Sequence, residues 1–214
     1  MRLLSVQVGT PRTVGTPLAE NPMERAFTSA IWKAPVYGPV HVGVLGLAGD
    51  AVANTKVHGG VDQALLMYSA AHYPLWESEL GRRMDAGAFG ENLTVEGLDE
   101  DTVCIGDVLE VGAVSLEVSQ PRQPCATLAR RHQMRDMIAM VRRNGRSGWY
   151  LRVLVAGAVE AGGPIRIVNR PNPEWTVRRA ARVMQARRRH PAEARALAEC
   201  SALSRGWRVQ LAGV

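Results

Sequence analysis

The sequence predicts a mainly β protein with helices, an α+β chain with a barrel or sandwich-like body and a small helical segment behind it. Three observations carry this reading. Residues 1–168 are rich in Gly and Val and break into many short apolar runs between turn signals. Two stretches within that region repeat their apolar residues at helical spacing. After Asn169-Arg170-Pro171-Asn172-Pro173 the composition shifts to Ala and Arg with helical periodicity.

Leu3–Val8 is the first expected strand. Ser29–Val36 and Val40–Leu47 follow, parted by the turn signal Tyr37-Gly38-Pro39. Ala64–Tyr68 is a continuous apolar run, as a strand buried on both faces requires. Ser69 is placed to cap a helix reaching Met84, with Tyr73, Trp76 and Leu80 on one side. Val114–Val118 alternates apolar and polar, the pattern of a half-buried strand. A second helix is expected over Ala126–Arg143, where Met134, Met137, Ile138 and Val141 form a core-filling stripe and Gly145 marks the end. Trp149–Val155 and Pro164–Val168 complete the body. Pro171 and Pro173 are expected to stiffen a linker. Three helices then follow, over Thr176–Arg189, Pro191–Glu199 and Ser204–Leu211. The expected division is residues 1–168 for the body and 171–214 for the extension.

A chain of 214 residues suits one main domain with a small addition. Hydrophobic residues at 46% and charged residues at 21% exclude disorder and membrane embedding. No run approaches the ~18–20 apolar residues of a spanning helix. The first residues, Met1-Arg2-Leu3-Leu4-Ser5, lack a signal-peptide core, and the three cysteines cannot build a disulfide framework. The expected compartment is the reducing cytoplasm. The net charge is +6, and all 26 basic residues are Arg except Lys33 and Lys56. Such a surplus suits a phosphate-bearing ligand. Aromatic residues at 5% and the lack of aromatic-interleaved basic motifs argue against nucleic acid.

Three segments hold residues suited to chemistry. In Ser119-Gln120-Pro121-Arg122-Gln123-Pro124-Cys125 a strand ends, two prolines frame a turn, and Cys125 opens a helix. Helix N-termini and nearby cations favour thiolate, the form that ligates metals or attacks carbon. Arg122 supplies such a cation. Cys104, in Thr102–Ile105, reads as core, and Cys200 lies in the helical tail. In Thr55-Lys56-Val57-His58-Gly59-Gly60-Val61-Asp62-Gln63 the glycine pair lets backbone approach a ligand, and Lys56 and His58 are candidate anion contacts. In Gly87-Ala88-Phe89-Gly90-Glu91-Asn92, Asn92 offers a donor and an acceptor suited to a heteroaromatic edge. Zinc-hydrolase, iron–sulfur, serine-hydrolase and dinucleotide-binding signatures are absent from the sequence.

These segments occur in one order: His58-Gly59-Gly60 with Asp62-Gln63-Ala64, Gly87 to Thr94, Ile105-Gly106-Asp107, Ser119 to Cys125, and Gly145 to Leu154. The ordered set, with Pro-Arg-Gln-Pro-Cys at its centre, resembles the MOSC domain family, the C-terminal module of molybdenum cofactor sulfurases. The closest likeness is to its stand-alone YiiM type, whose three-helix extension the tail resembles. The resemblance implies a barrel similar to the pyruvate kinase β-barrel domain. It implies a molybdenum cofactor ligated by Cys125, with Lys56, His58, Gly59, Gly60, Asn92, Gln120 and Arg122 as contacts for its phosphate and pterin. It further implies reduction of small N-hydroxylated compounds, such as 6-hydroxylaminopurine and hydroxylamines, to amines. A separate flavoprotein reductase would supply the electrons. The alternative is a cofactor carrier or sulfur-transfer protein working through a Cys125 persulfide.

Overall fold

The computed structural model describes every residue except Lys56. The chain begins with β1 (Arg2–Val8), the hairpin β2 (Arg12–Val14) and β3 (Phe27–Ser29), then β4 (Ala34–Val36), β5 (Val40–Gly43) and β6 (Gly46–Leu47). A 3-10 turn at Val61–Gln63 leads into β7 (Leu65–Ser69), α1 (His72–Leu80) and β8 (Leu93–Glu96). Next come β9 (Val108–Val111), β10 (Val114–Pro121), α2 (Ala126–His132) and α3 (Met137–Asn144). The strands β11 (Trp149–Val155), β12 (Gly157–Val159) and β13 (Ile165–Asn169) precede α4 (Val177–Ala186), α5 (Pro191–Ala198) and α6 (Arg205–Ala212).

Eight strands form one sheet in the order β13-β9-β10-β11-β7-β8-β1-β4. Neighbours run antiparallel except β7 and β8, which are parallel with Met67 opposite Leu93. The sheet closes into a barrel. The Leu3 amide donates to the Gly163 carbonyl at 2.9 Å, and the Ile165 amide to the Met1 carbonyl at 3.0 Å, so the start of β1 pairs with chain entering β13. Leu3, Leu65, Met67, Leu93, Leu109, Leu116 and Trp149 fill the interior. Tyr68, Trp76, Phe89, Leu128, Met137 and Val141 build a second cluster under α1, α2 and α3.

The extension shares the barrel core. Val177, Ala180, Met184, Leu197, Trp207 and Leu211 belong to the same buried cluster as Leu116 and Trp149. The segment before it is no free tether. Arg170 donates from Nε and Nη2 to the fully buried Asp107 carboxylate, at 2.9 and 2.7 Å. Asp107 also accepts the Cys104 amide at 2.9 Å, so a charge-assisted fork ties the proline-containing segment to the barrel.

Several expected elements are divided. Ser29–Val36 splits because Ser29 pairs back onto β2 while Ala34 pairs onto β1. Val40–Leu47 is itself a hairpin, turning at the exposed Val44 and Leu45. The first helix starts at His72, with Ser69 still in β7, and stops at Leu80, where Gly81 takes the left-handed conformation at φ 64°. The Ala126–Arg143 helix breaks at Gln133, which adopts φ 54° and caps α2 through its backbone amide. A left-handed glutamine leaves no mark in a propensity pattern.

Trp207, 3% exposed, packs into the shared core. Trp207→Ala is expected to lower stability by about 3–5 kcal/mol. In urea this reads as an earlier midpoint for the whole chain, with barrel and extension unfolding in one transition.

Candidate functional site

The site is assembled where β10 hands over to α2. β10 leaves the sheet at Pro121, and the Arg122 amide donates to the Gly148 carbonyl at 3.0 Å. That contact needs a bare backbone: Gly148 sits at φ 73°, and a Cβ there would lie 2.6 Å from the Met67 carbonyl oxygen. The Arg122 side chain is therefore held inside the fold, 5% exposed. Its Nη2 reaches the Phe89 carbonyl at 3.5 Å, while Nη1 is buried with no partner among the described residues. A buried donor left unpaired is costly and fits an anion that is not part of the chain.

Cys125 is the N-cap of α2, extended at φ −129°, ψ 171°, and its thiol is partly exposed. Burial pushes its pKa up. The His58 hydrogen bond, the Arg122 charge and the Leu128 amide outweigh this, and the pKa falls to about 6. The helix is only seven residues long, so side chains rather than a long helix axis stabilise the thiolate. Cys104 and Cys200 go the other way: both are buried, and burial raises both thiols. Cys104 also places its sulfur 3.5 Å from the Pro173 carbonyl.

The segment Gly87–Thr94 faces Arg122. Its organiser is Glu91, fully buried, which accepts from the amides of Gly87 and Phe89 (the latter at 2.9 Å) and from the Tyr73 hydroxyl. This bends the chain so that Phe89 stacks on Tyr68 at 4.5 Å between ring centroids and turns its carbonyl toward Arg122. Asn92 departs from its expected role. Its Oδ1 accepts the Leu66 amide at 3.1 Å, and its Nδ2 donates to the Gln7 carbonyl at 3.3 Å and to Asp50 at 2.8 Å. The amide is spent inside the fold and does not offer an edge to a cofactor.

Among the other expected residues, His58 reaches the Cys125 sulfur. Gly59 and Gly60 both adopt φ 79°, and the space beside the Gly60 Cα is open. Gln120 is 5% exposed and pairs with Tyr150 across β10 and β11. Lys56 lies outside the described residues.

Sequence reasoning missed Tyr150, Arg131 and Arg12. Burial raises the Tyr150 phenol, and it lies within the electrostatic reach of Arg122 and Cys125. Alternation along β11, which places Tyr150 and Arg152 on one face, was the available signal. Arg131 is lowered to about 10, by burial first; its neighbours include Arg12 and Arg122 as well as Glu91. Arg12 covers the Trp32 ring at 4.5 Å, and Arg130 covers Phe27 at 5.0 Å. A cleft of about 310 Å³ lies against the C-terminal half of α2, lined among others by Met23, Glu24, Phe27, Trp32, Arg130 and Arg131. Among the described residues no carboxylate forms an ion pair with Arg12, Arg122, Arg130 or Arg131, whereas Arg146, Arg152, Arg170 and Arg178 are all paired. The buried Glu91 carboxylate acts on Arg131 from a distance without pairing with it.

Residues 54–166 match the MOSC domain, and residues 175–212 match the YiiM-like three-α-helix domain. The chain belongs to the MOSC domain family. Protein YiiM of Escherichia coli is 39% identical over 158 residues, covering 72% of this chain and 70% of that protein. A protein named Reductase from Gibberella moniliformis is 39% identical over 181 residues, or 83% of this chain but 32% of that protein. The crystal structure of YiiM from Geobacillus stearothermophilus superposes with a TM-score of 0.81 at 36% identity, covering 98% of this chain and 96% of that one. MOSC membership associates the chain with the molybdenum cofactor. Cys125, Arg122 and His58 all lie within the MOSC match.

Two outcomes test this geometry. Alkylation of Cys125, followed peptide by peptide, is expected to rise with a midpoint near pH 6 while Cys104 and Cys200 stay unmodified at neutral pH. The second concerns His132, which anchors α2. Its Nδ1 accepts from Arg82 and its Nε2 donates to the Ala88 carbonyl, each at 2.9 Å. Burial, then the Arg131 charge, lowers its pKa to about 4. The unfolded chain binds this proton first, so the contribution is complete above pH 6.5 and is lost as pH falls from 6.5 toward 4. The loss is about 2–3 kcal/mol. The difference in urea stability between the wild type and His132→Gln is expected to shift over that window, and a constant difference would contradict the assignment.

Proposed function

We propose that this chain binds a molybdenum cofactor through Cys125 and reduces small N-hydroxylated compounds to amines, with electrons delivered by a separate flavoprotein reductase. The observation that carries the reading is a partly exposed Cys125 beside a buried guanidinium, Arg122, whose Nη1 has no partner among the described residues, with the thiol pKa lowered to about 6. Among the described residues no group of three His, Cys, Asp or Glu side chains converges as a self-sufficient metal site. A metal held here would rest on one protein sulfur and on ligands it brings with it. A pterin dithiolene meets that need, and its phosphate meets the need of Arg122 for an anion.

When bound, the cofactor supplies the two-electron exchange that side chains lack. Cys125 offers a soft thiolate, and His58 keeps it ionised. Arg122, with Arg131 beside it, holds the anionic portion. Gly59 and Gly60 let backbone approach the ligand without a side chain between. Tyr150, whose phenol burial raises, stays protonated at neutral pH and lies in the electrostatic field of Arg122 and Cys125. The overall reaction consumes two electrons and two protons for each N–O bond broken and releases the amine and water. The reductase-named relative and the MOSC match support a redox role.

The test uses protein from a cofactor-competent host. The wild type is expected to carry molybdenum by elemental mass spectrometry and to consume an aromatic hydroxylamine with a chemical reductant. Cys125→Ala is expected to lose turnover, and Arg122→Gln to retain less molybdenum. Full activity in Cys125→Ala would refute the ligand assignment. Bound molybdenum without turnover would favour the carrier reading.

A further inference from the structure

Among the described residues, the backbone bonds within the loop that brings His58 to Cys125 are local. The amides of Val57 and His58 both turn back to the Asn54 carbonyl, at 3.4 and 3.1 Å, and the Gln63 amide to the Gly60 carbonyl at 3.0 Å. Such short local bonds do not fix a loop against the rest of a molecule. Asp62 does. Its Oδ1 accepts from both Arg152 Nε at 2.9 Å and Nη2 at 2.7 Å, two charge-assisted bonds on one oxygen. Its Oδ2 accepts the backbone amide of Arg205 at 3.1 Å. Its carbonyl accepts the Ser119 hydroxyl at 2.5 Å, and the Ser119 carbonyl in turn accepts the Ser204 amide at 2.9 Å. Arg205 is the first residue of α6, and Ser204 is its N-cap. Strand β11 and the last helix of the extension thus meet on one carboxylate, four residues from His58, while β10 holds the backbone carbonyl of the same residue. The helix end adds its own attraction for the negative charge.

We propose that Asp62 is a positioning residue and that the C-terminal extension acts on the site through it, the N-terminus of α6 clamping the loop that presents His58. The extension is then part of how the site is held, not only a cover for the barrel. The clamp holds whichever group Cys125 takes, so amide exchange tests it independently of the molybdenum reading, and the alkylation readout uses cofactor-free protein.

α6 permits a narrow experiment. Proline is well suited to the first position of a helix, and the residue before it must be extended, as Ser204 already is at φ −52°, ψ 145°. Arg205→Pro therefore deletes the one N–H that α6 gives to Asp62 and leaves the helix intact, whereas Arg205→Ala keeps that N–H. In the full-length chain, Arg205→Pro is expected to speed amide exchange at His58 and Gln63 by about tenfold, the effect of one hydrogen bond to a charged group. The ratio of Cys125 alkylation at pH 7 to that at pH 10, which cancels changes in access, is expected to fall by about threefold as His58 drifts away. Arg205→Ala is expected to match the wild type in both. Asp62→Asn is expected to reproduce or exceed the Arg205→Pro effects, and it decides the matter if Arg205→Pro does not fold. Unchanged exchange and an unchanged ratio in folded Arg205→Pro and Asp62→Asn would overturn the proposal. Equal losses in Arg205→Ala and Arg205→Pro would overturn the role given to α6.

Discussion

Buried or half-buried carboxylates bound to backbone amides hold this structure together where regular secondary structure stops. Glu91 gathers the amides of Gly87 and Phe89, Asp107 that of Cys104, and Asp50 that of Gly9. Glu100, fully buried against His72, accepts the Gly148 amide at 2.7 Å. Each carboxylate gives a loop the acceptors that a sheet neighbour would otherwise supply. Gly148 is the clearest case: fixed by Glu100 on one side, it offers its carbonyl to Arg122 on the other. The placement of the one buried guanidinium at the site descends from a carboxylate on the far side of the same loop.

The charges divide accordingly. Most carboxylates in the barrel neutralise an arginine, a lysine or a row of amides. The guanidiniums along α2 receive no such partner among the described residues, although α2 itself is firmly anchored by His132 and by the bond from Arg131 to the Ile31 carbonyl. Holding like charges together without an ion-paired acid costs stability, and an anion bound beside them would offset that cost.

Much of this was legible in the sequence. The apolar runs located β1, β7, β10, β11 and β13, since buried strands of a closed sheet leave continuous or alternating patterns that need no tertiary context. Cys125 was legible because two prolines and an arginine frame it within a few residues. What stayed hidden was set by distant contacts. Gln133 is left-handed because α2 must stop to let α3 turn back, and nothing local says so. Asn92 looked like a ligand-reading amide. Its partners, Gln7, Asp50 and Leu66, lie far off in sequence and claim both ends of it. Tyr150 and Arg131 became site residues only when β11 and α2 were brought beside Cys125.

The buried cluster common to barrel and extension has a consequence for descent. Leu197, Trp207 and Leu211 finish a hydrophobic interior that begins at Leu3. A recombination event that exchanged the last forty or so residues for an unrelated module would strip apolar cover from the barrel as well as remove a helical segment. The shared interior makes the stability of each part depend on the other.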